Sequence, residues 1–236
     1  RGRFELVTVP YLLRPSQEAK IYAADLEALG KTCKVTPHSL DLLCTWAVMT
    51  RLKQPDPETF ESQHRALIAR LDPRSKVRLY EGEPLRTFKP SEETILKELR
   101  QRIINESIGL VVYEGRFGAS PREVRGILQR ASDNPNHKTL TPMAVFAELE
   151  RIVKDRTVYE FLQFEPRGKY HDAAQFIDVI KDEFAVLFEE EVLRSMSLVR
   201  DEEYDKLLSR YVENVVASVK KEKIFNPATE AYEPPS

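Results

Sequence analysis

At Thr36-Pro37, Asp56-Pro57, Ser120-Pro121 and Thr141-Pro142 a residue whose side chain can cap a helix stands directly before proline. The cap oxygen accepts a hydrogen bond from one of the N–H groups that open a helix, and proline at the first helical position has no N–H to leave unpaired. This punctuation predicts a mainly α chain, and the apolar spacing agrees. After Pro37, the residues Leu40, Leu43, Cys44, Ala47, Val48 and Met49 keep one helical face apolar to about Leu52. After Pro57 the matching set is Phe60, His64, Leu67, Ile68 and Leu71, stopped by Asp72-Pro73. A third helix is predicted from near Ser91, through Ile95, Leu99, Ile103 and Ile104. Two longer helices are predicted over Ala174 to Met196 and Glu202 to about Lys223. The last carries Tyr204, Leu207, Leu208, Tyr211, Val212, Val215, Val216 and Val219, a stripe at periods of three and four that is expected to be core.

Strand signals are few. Phe4 to Val9 suits a short strand, and Leu79-Tyr80 ahead of Glu81-Gly82 suits another. Ile108 to Tyr113 stays open between strand and helix, because a short apolar run fits both. Prolines at 55, 57, 73, 84 and 90 interrupt the region from 54 to 90, which is expected to be an insertion holding one helix. Glu165-Pro166-Arg167-Gly168 is expected to separate two helical units, and Glu233-Pro234-Pro235-Ser236 to be a tail.

Composition narrows the function. Among 236 residues, 36 are Lys or Arg and 38 are Asp or Glu, a net charge of −2. That balance argues against a general polyanion binder, whose phosphate contacts need an excess of cations, so no nucleic-acid partner is expected. Cys33 and Cys44 are too few for a disulfide framework or a zinc site of spaced pairs. No apolar run approaches the roughly 20 residues needed to cross a bilayer and no signal peptide opens the chain, so no membrane partner and a cytoplasmic location are expected. Eight glycines are sparse, with no G-x-x-x-x-G-K-[ST] and no G-x-G-x-x-G, so the chain builds no phosphate cradle of its own. His38, His64, His137 and His171 are far apart, and no metal cluster is expected. His64 suits a satisfied, partly buried position, and Cys44 matches the core stripe and is expected to be inert. Glu189-Glu190-Glu191 and Lys220-Lys221-Glu222-Lys223 suit solvated helix surface.

The most informative stretch is Gly115-Arg116-Phe117-Gly118-Ala119-Ser120-Pro121-Arg122-Glu123. Ser120 and Glu123 make a capping box, the serine bonding forward and the glutamate back. Arg122 then occupies the second position of the new helix, where free N–H groups and the helix dipole already favour an anion. A planar guanidinium there adds a two-oxygen grip on phosphate. From spacing alone the same box also describes a well-capped surface helix with an incidental arginine.

Gly118-Ala119-Ser120-Pro121-Arg122 resembles the sensor 2 motif of AAA+ ATPases, in which an arginine opening a lid helix reaches toward bound ATP. The surroundings resemble the PrkA family of bacterial serine protein kinases, where an AAA+ module is joined to a helical C-terminal region. Val9-Pro10-Tyr11-Leu12 with Lys20-Ile21-Tyr22 is similar to that family's passage from the last core strand into the lid. Arg51-Leu52-Lys53 and Val77-Arg78-Leu79-Tyr80-Glu81-Gly82-Glu83 are similar to its following blocks. Tyr204, Arg210-Tyr211-Val212 and Asn226-Pro227-Ala228-Thr229 are similar to its closing segment. The resemblance implies that residues 1–10 end the AAA+ core strand. It implies that 11–155 form a lid-like helical bundle with an insertion at about 54–114, and that 156–236 form the C-terminal helical region. It implies Arg122 as the nucleotide contact, with Gly118, Ser120, Pro121 and Glu123 supporting its helix. It also implies ATP and Mg in the intact protein, bound by an N-terminal core outside this chain, with no tight binding by the chain alone. The sequence opens on Arg1 without an initiator Met and is expected to be a piece of such a protein. Arg1 or Arg3 is then a remnant of an arginine cluster at the end of the core. A protein substrate and an oligomer of the intact protein complete what the resemblance implies.

A protein-kinase fold needs a glycine loop over the phosphates, a strand lysine, a catalytic aspartate and a metal-binding Asp-Phe-Gly. None of these motifs is present. Tyr170-His171-Asp172 lacks the arginine before the aspartate and the asparagine beyond it, so Asp172 is expected to cap the helix that follows. No catalytic residue is identified. Two functional readings stand: the lid and kinase-associated region of an AAA+ serine kinase, or a non-catalytic helical module that binds a partner or substrate for an AAA+ remodeller or protease-like motor. A third is a helical domain whose AAA+ likeness is chance.

Overall fold

The computed structural model of the chain describes residues 9–137, 139–196, 201–220, 224–226 and 231–233. Its contacts divide it into two units, Arg1–Phe184 and Ala185–Ser236. The expected strand over Phe4 to Val9, the roles of Arg1 and Arg3, most of Lys220 to Lys223, most of Asn226 to Thr229 and the tail beyond Glu233 lie outside the described residues.

The first unit is built around one helix. It runs α1 (Pro15–Ala19), α2 (Ala23–Gly30), β1 (Lys34–Val35), α3 (Ser39–Arg51), α4 (Ser62–Ala69), α5 (Pro73–Glu81), α6 (Pro90–Asn105), α7 (Pro121–Ser132), β2 (Thr139–Leu140), α8 (Pro142–Val153) and the opening of α9 (Gln175–Ser195). Leu42, Leu43, Cys44, Trp46, Ala47, Val48 and Met49 of α3 are all buried, so the helix is apolar on nearly every side. A helix of that kind can be stable in water only if neighbours cover all its faces. Here α1, α5, α7 and α8 do so. Burying a Leu- or Phe-sized side chain is worth about 1.5–3 kcal/mol, so this helix holds a large part of the core's stability. Trp46 packs edge-on against Phe161 and donates its indole N–H to the Ala173 carbonyl at 2.9 Å. β1 and β2 form a parallel two-residue pair, Lys34 beside Thr139 and Val35 beside Leu140. Phe60, Leu67, Ile68, Leu96 and Ile103 belong to the same core, so the stretch from 54 to 114 is packed into this unit.

The local signals meet three different outcomes. Ser120 and Thr141 cap α7 and α8 as expected, accepting from Glu123 N and Ala144 N. Asp56-Pro57 opens only a single 3-10 turn, Pro57–Thr59. Thr36-Pro37 caps nothing: α3 starts at Ser39 behind His38, a left-handed residue with φ 62°. Thr36 instead bonds the Leu140 carbonyl through its amide at 2.9 Å and its hydroxyl at 3.2 Å, so the β1–β2 pairing has claimed it. Leu79-Tyr80 is helical, contrary to the strand expectation. Gly82 at φ +85° lets its own N–H and that of Glu83 fold back onto Leu79 and Arg78 carbonyls, which terminates α5. Ile108 to Tyr113 is neither strand nor helix but a turn that leaves Ile108, Leu110, Val111 and Val112 exposed.

Asp172 accepts from Gln175 N at 3.0 Å and so caps α9 as expected. The chain past Gly168 packs back on the core through Tyr170, whose hydroxyl donates to Leu71 O, and the two units divide only after Phe184. His64 is half-buried, but its Nδ1 is buried with no hydrogen-bond partner among the described residues.

The second unit holds the rest of α9, then α10 (Asp201–Lys220) and an antiparallel pair, β3 (Ile224–Asn226) with β4 (Ala231–Glu233). Among the described side chains of α10 only Ala217 is buried, whereas Tyr211, Val212, Val215, Val216 and Val219 are exposed. The described part of the stripe expected as core is therefore exposed. Glu189, Glu190 and Glu191 are exposed, as expected. Among the described residues no helix is long and apolar enough to cross a membrane.

Candidate functional site

The start of α7 is held by a buried clamp. Arg51, the last residue of α3, is fully buried. Its Nη1 and Nη2 each donate to a Glu18 oxygen at 2.7 Å. Its Nε donates to Ala119 O at 2.8 Å, and Nη1 also reaches Leu12 O at 2.9 Å. Glu18 is fully buried too and accepts the Tyr22 hydroxyl at 2.6 Å. Bidentate pairing and these extra donors answer the desolvation cost that an isolated buried charge would carry. The backbone of 115–119 then lies along the end of α3: Gly115 N donates to Arg51 O and Ala119 N to Thr50 Oγ1.

Two glycines permit that approach. A Cβ on Gly118, at φ +111°, would sit 2.6–2.8 Å from Arg51 atoms, two of them backbone. A Cβ on Gly115, at φ +78°, would meet the Tyr11 carbonyl oxygen at 2.9 Å. A second buried pair braces the other side. Lys76 Nζ bonds Glu114 Oε1 at 2.5 Å and Lys53 O at 2.6 Å, and Glu114 also accepts Tyr80 OH at 2.7 Å and Lys53 N at 3.0 Å.

On this base stands the capping box. Ser120 Oγ accepts Glu123 N at 3.3 Å, and Glu123 accepts Ser120 N at 2.6 Å, with Pro121 at the first helical position. Arg122 is exposed, one residue further on. It has no ion pair among the described residues, whereas Arg125, a turn later, pairs with Asp25 at 2.9 Å. The structure thus brings Gly118, Ser120, Pro121, Arg122 and Glu123 together on one rigid helix start.

The titratable groups behind it are unreactive. Burial first, then the Glu18 carboxylate, pushes the Tyr22 hydroxyl and the Cys44 thiol up. Burial and Glu114 do the same to Tyr80. None of the three supplies an anion near neutral pH. His171, left-handed at φ 61°, has its pKa lowered by burial and then by Arg167. Among the described residues no group of three His, Cys, Asp or Glu side chains could hold a metal ion.

Sequence reasoning did not find the clamp. Its one signal was Arg51 closing a long apolar run, with Glu18 and Tyr22 four residues apart on the preceding segment.

A family model described as the PrkA serine protein kinase C-terminal domain matches residues 74–236, a range that contains α7 and Arg122 but not Glu18 or Arg51. A curated Bacillus subtilis (strain 168) protein called ATP-dependent protease PrkA is 24% identical over 230 residues, 97% of this chain and 32% of that protein. An Escherichia coli (strain K12) protein called serine/threonine kinase YeaG is 30% identical over 155 residues, 64% of this chain and 21% of that protein. The chain thus spans about a third of the first relative and about a fifth of the second. No solved structure matches it.

Proposed function

We propose, from the premise that this chain belongs to the PrkA serine protein kinase C-terminal domain family, that it is the lid and C-terminal region of an ATP-dependent AAA+ serine protein kinase. In this reading residues 1–10 leave the AAA+ core, 11–155 form the lid with its insertion at about 54–114, and 156–236 form the kinase-associated region. ATP and Mg bind to the N-terminal core, and Arg122 reaches their phosphates from the lid. The protein works in the cytoplasm on a protein substrate.

The observation that carries the reading is Arg122 itself. It is an exposed guanidinium with no ion pair among the described residues, at the second position of a helix whose start is fixed by a buried clamp. An arginine that reports nucleotide state needs a rigid mount and a free head, and this one has both. At the start of α7 the residues fit a single phosphate contact, made by Arg122.

The test is Arg122→Ala in the full-length protein. The expected outcome is slower ATP turnover or looser coupling to phosphotransfer, by about tenfold or more for a lost charged contact. Unchanged ATPase and phosphotransfer remove the sensor role. The chain alone, titrated calorimetrically with Mg-ATP, is expected to show no binding; micromolar affinity would place a nucleotide site within it and overturn the accessory role.

The missing kinase motifs support a second reading, a non-catalytic module that presents partners to an AAA+ remodeller or protease-like motor. The protease name of the Bacillus relative is consistent with it. Serine phosphorylation by the purified full-length protein, abolished by substituting its Walker lysine, would eliminate this reading.

A further inference from the structure

A cavity of about 260 Å³ opens beside the first turn of α5. Its charged lining is Arg74, Arg78, Arg86 and Lys169 against one carboxylate, Asp72. Ser75 and Thr87 add hydroxyls whose oxygens lie 3.3 Å apart. Met49, Pro73, Phe176 and Val179 supply an apolar floor.

Two of the acids nearby, Asp72 and Glu183, are already engaged. Asp72 caps α5 through Ser75 N at 2.8 Å and lies 3.7 Å from Lys169. Glu183 is shared between Arg78, at 2.8 Å, and Arg74, at 3.6 Å. Glu83 lies near Arg78 and Arg86, and partial burial raises its pKa. Arg78 is under-bonded, because its Nε is buried with no hydrogen-bond partner. Such a group costs more than an ordinary lost bond, and native structures normally satisfy it.

A second cavity, of about 440 Å³, adjoins the first, sharing Asp72, Thr87 and Lys169 and continuing past Gln54, Phe88 and Tyr170. The first cavity alone, at about 260 Å³, has room for about nine waters at about 30 Å³ each, so a lone phosphate would leave most of it wet. The recess as a whole is longer than any single anion requires.

We propose that these two cavities form a phosphopeptide groove. A phosphoserine or phosphothreonine side chain enters the cationic cavity, and the flanking peptide passes over Lys169 into the second. A phosphomonoester dianion offers three equivalent acceptor oxygens, which suits several converging guanidinium and hydroxyl donors better than a carboxylate does. The stem of the side chain lies on the apolar floor. This groove is independent of Arg122 and of the nucleotide reading.

The test uses the whole chain and a fluorescein-labelled nonapeptide library with a fixed central phosphoserine, beside the same library with serine. Fluorescence anisotropy is expected to show binding to the phosphorylated library at least tenfold tighter than to the other. Arg86→Ala and Lys169→Ala, both at exposed positions, are each expected to weaken that binding by about tenfold while Trp46 fluorescence stays native. Lys154→Ala, at an exposed cation that lines neither cavity, is expected to leave it unchanged. Equal binding of the two libraries, or full binding by both groove variants, overturns the proposal. Inorganic phosphate competing as strongly as the phosphopeptides would identify a free-phosphate site and overturn the peptide.

Discussion

Replacing Arg51 by methionine keeps the volume of the side chain and removes its charge. Glu18 would then hold a fully buried carboxylate with only the Tyr22 hydroxyl at 2.6 Å to answer it. Breaking one side of a buried pair costs about 3–5 kcal/mol, because the surviving charge is left unpaired in a low dielectric. The carbonyls of Ala119 and Leu12 lose their donors as well. At about 2–4 °C per kcal/mol for a chain of this size, the unit should melt about 6–20 °C lower. Glu18→Leu should cost about as much, for the mirror reason that it strands the guanidinium. The double variant removes both charges at once, so its cost should fall short of the sum by at least about 2 kcal/mol. Trp46 is the sole tryptophan, is buried, and lies in the first unit, so urea unfolding followed by its fluorescence isolates the relevant transition. Single variants costing less than about 1 kcal/mol, or a double variant that is strictly additive, would refute the clamp.

Two other perturbations test separate features. Gly118→Ala meets both an unfavourable φ and Arg51 atoms within 2.8 Å, so it should cost more than about 3 kcal/mol. Gly168→Ala, at φ +59° with its nearest neighbour 3.8 Å away, should cost only the left-handed strain of about 1–2 kcal/mol. Thermal melts of the pair check the difference, and equal losses would show that the close approach at Gly118 is not limiting. His171 has a folded pKa below its ordinary 6.5, so the unfolded chain takes up the proton first. Stability contributed at His171 should therefore be complete above pH 6.5, decline as pH falls through that value and level off below the folded pKa. His171→Asn, which tolerates the same left-handed backbone, should flatten that decline in melts run from pH 8 to pH 5.

The parts that were legible in the sequence are those whose chemistry closes within a few residues. The capping box needs only Ser120 and Glu123, and Asp172 needs only the turn after it. Thr36 carried the same local signal and misled, because its partner is the Leu140 carbonyl more than a hundred residues away. Leu79-Tyr80 before Gly82 suited a short strand, and the fold-back of Gly82 and Glu83 onto Arg78 and Leu79 makes it the end of a helix instead. The mount of Arg122 was hidden for the same reason. Arg51, Glu18, Lys76 and Glu114 look like ordinary surface charges until the chain brings them together inside the core. Periodicity located the α10 stripe correctly but could not say whether anything would cover it.

The bond from Trp46 to Ala173 spans 127 positions. During synthesis at about 5–20 residues per second, α3 therefore precedes that partner by roughly 6–25 s. Throughout that interval the helix that ends up most deeply buried is finished while later elements of its sheath are still to be made. The time for which α3 exists without its full cover is thus set by translation speed.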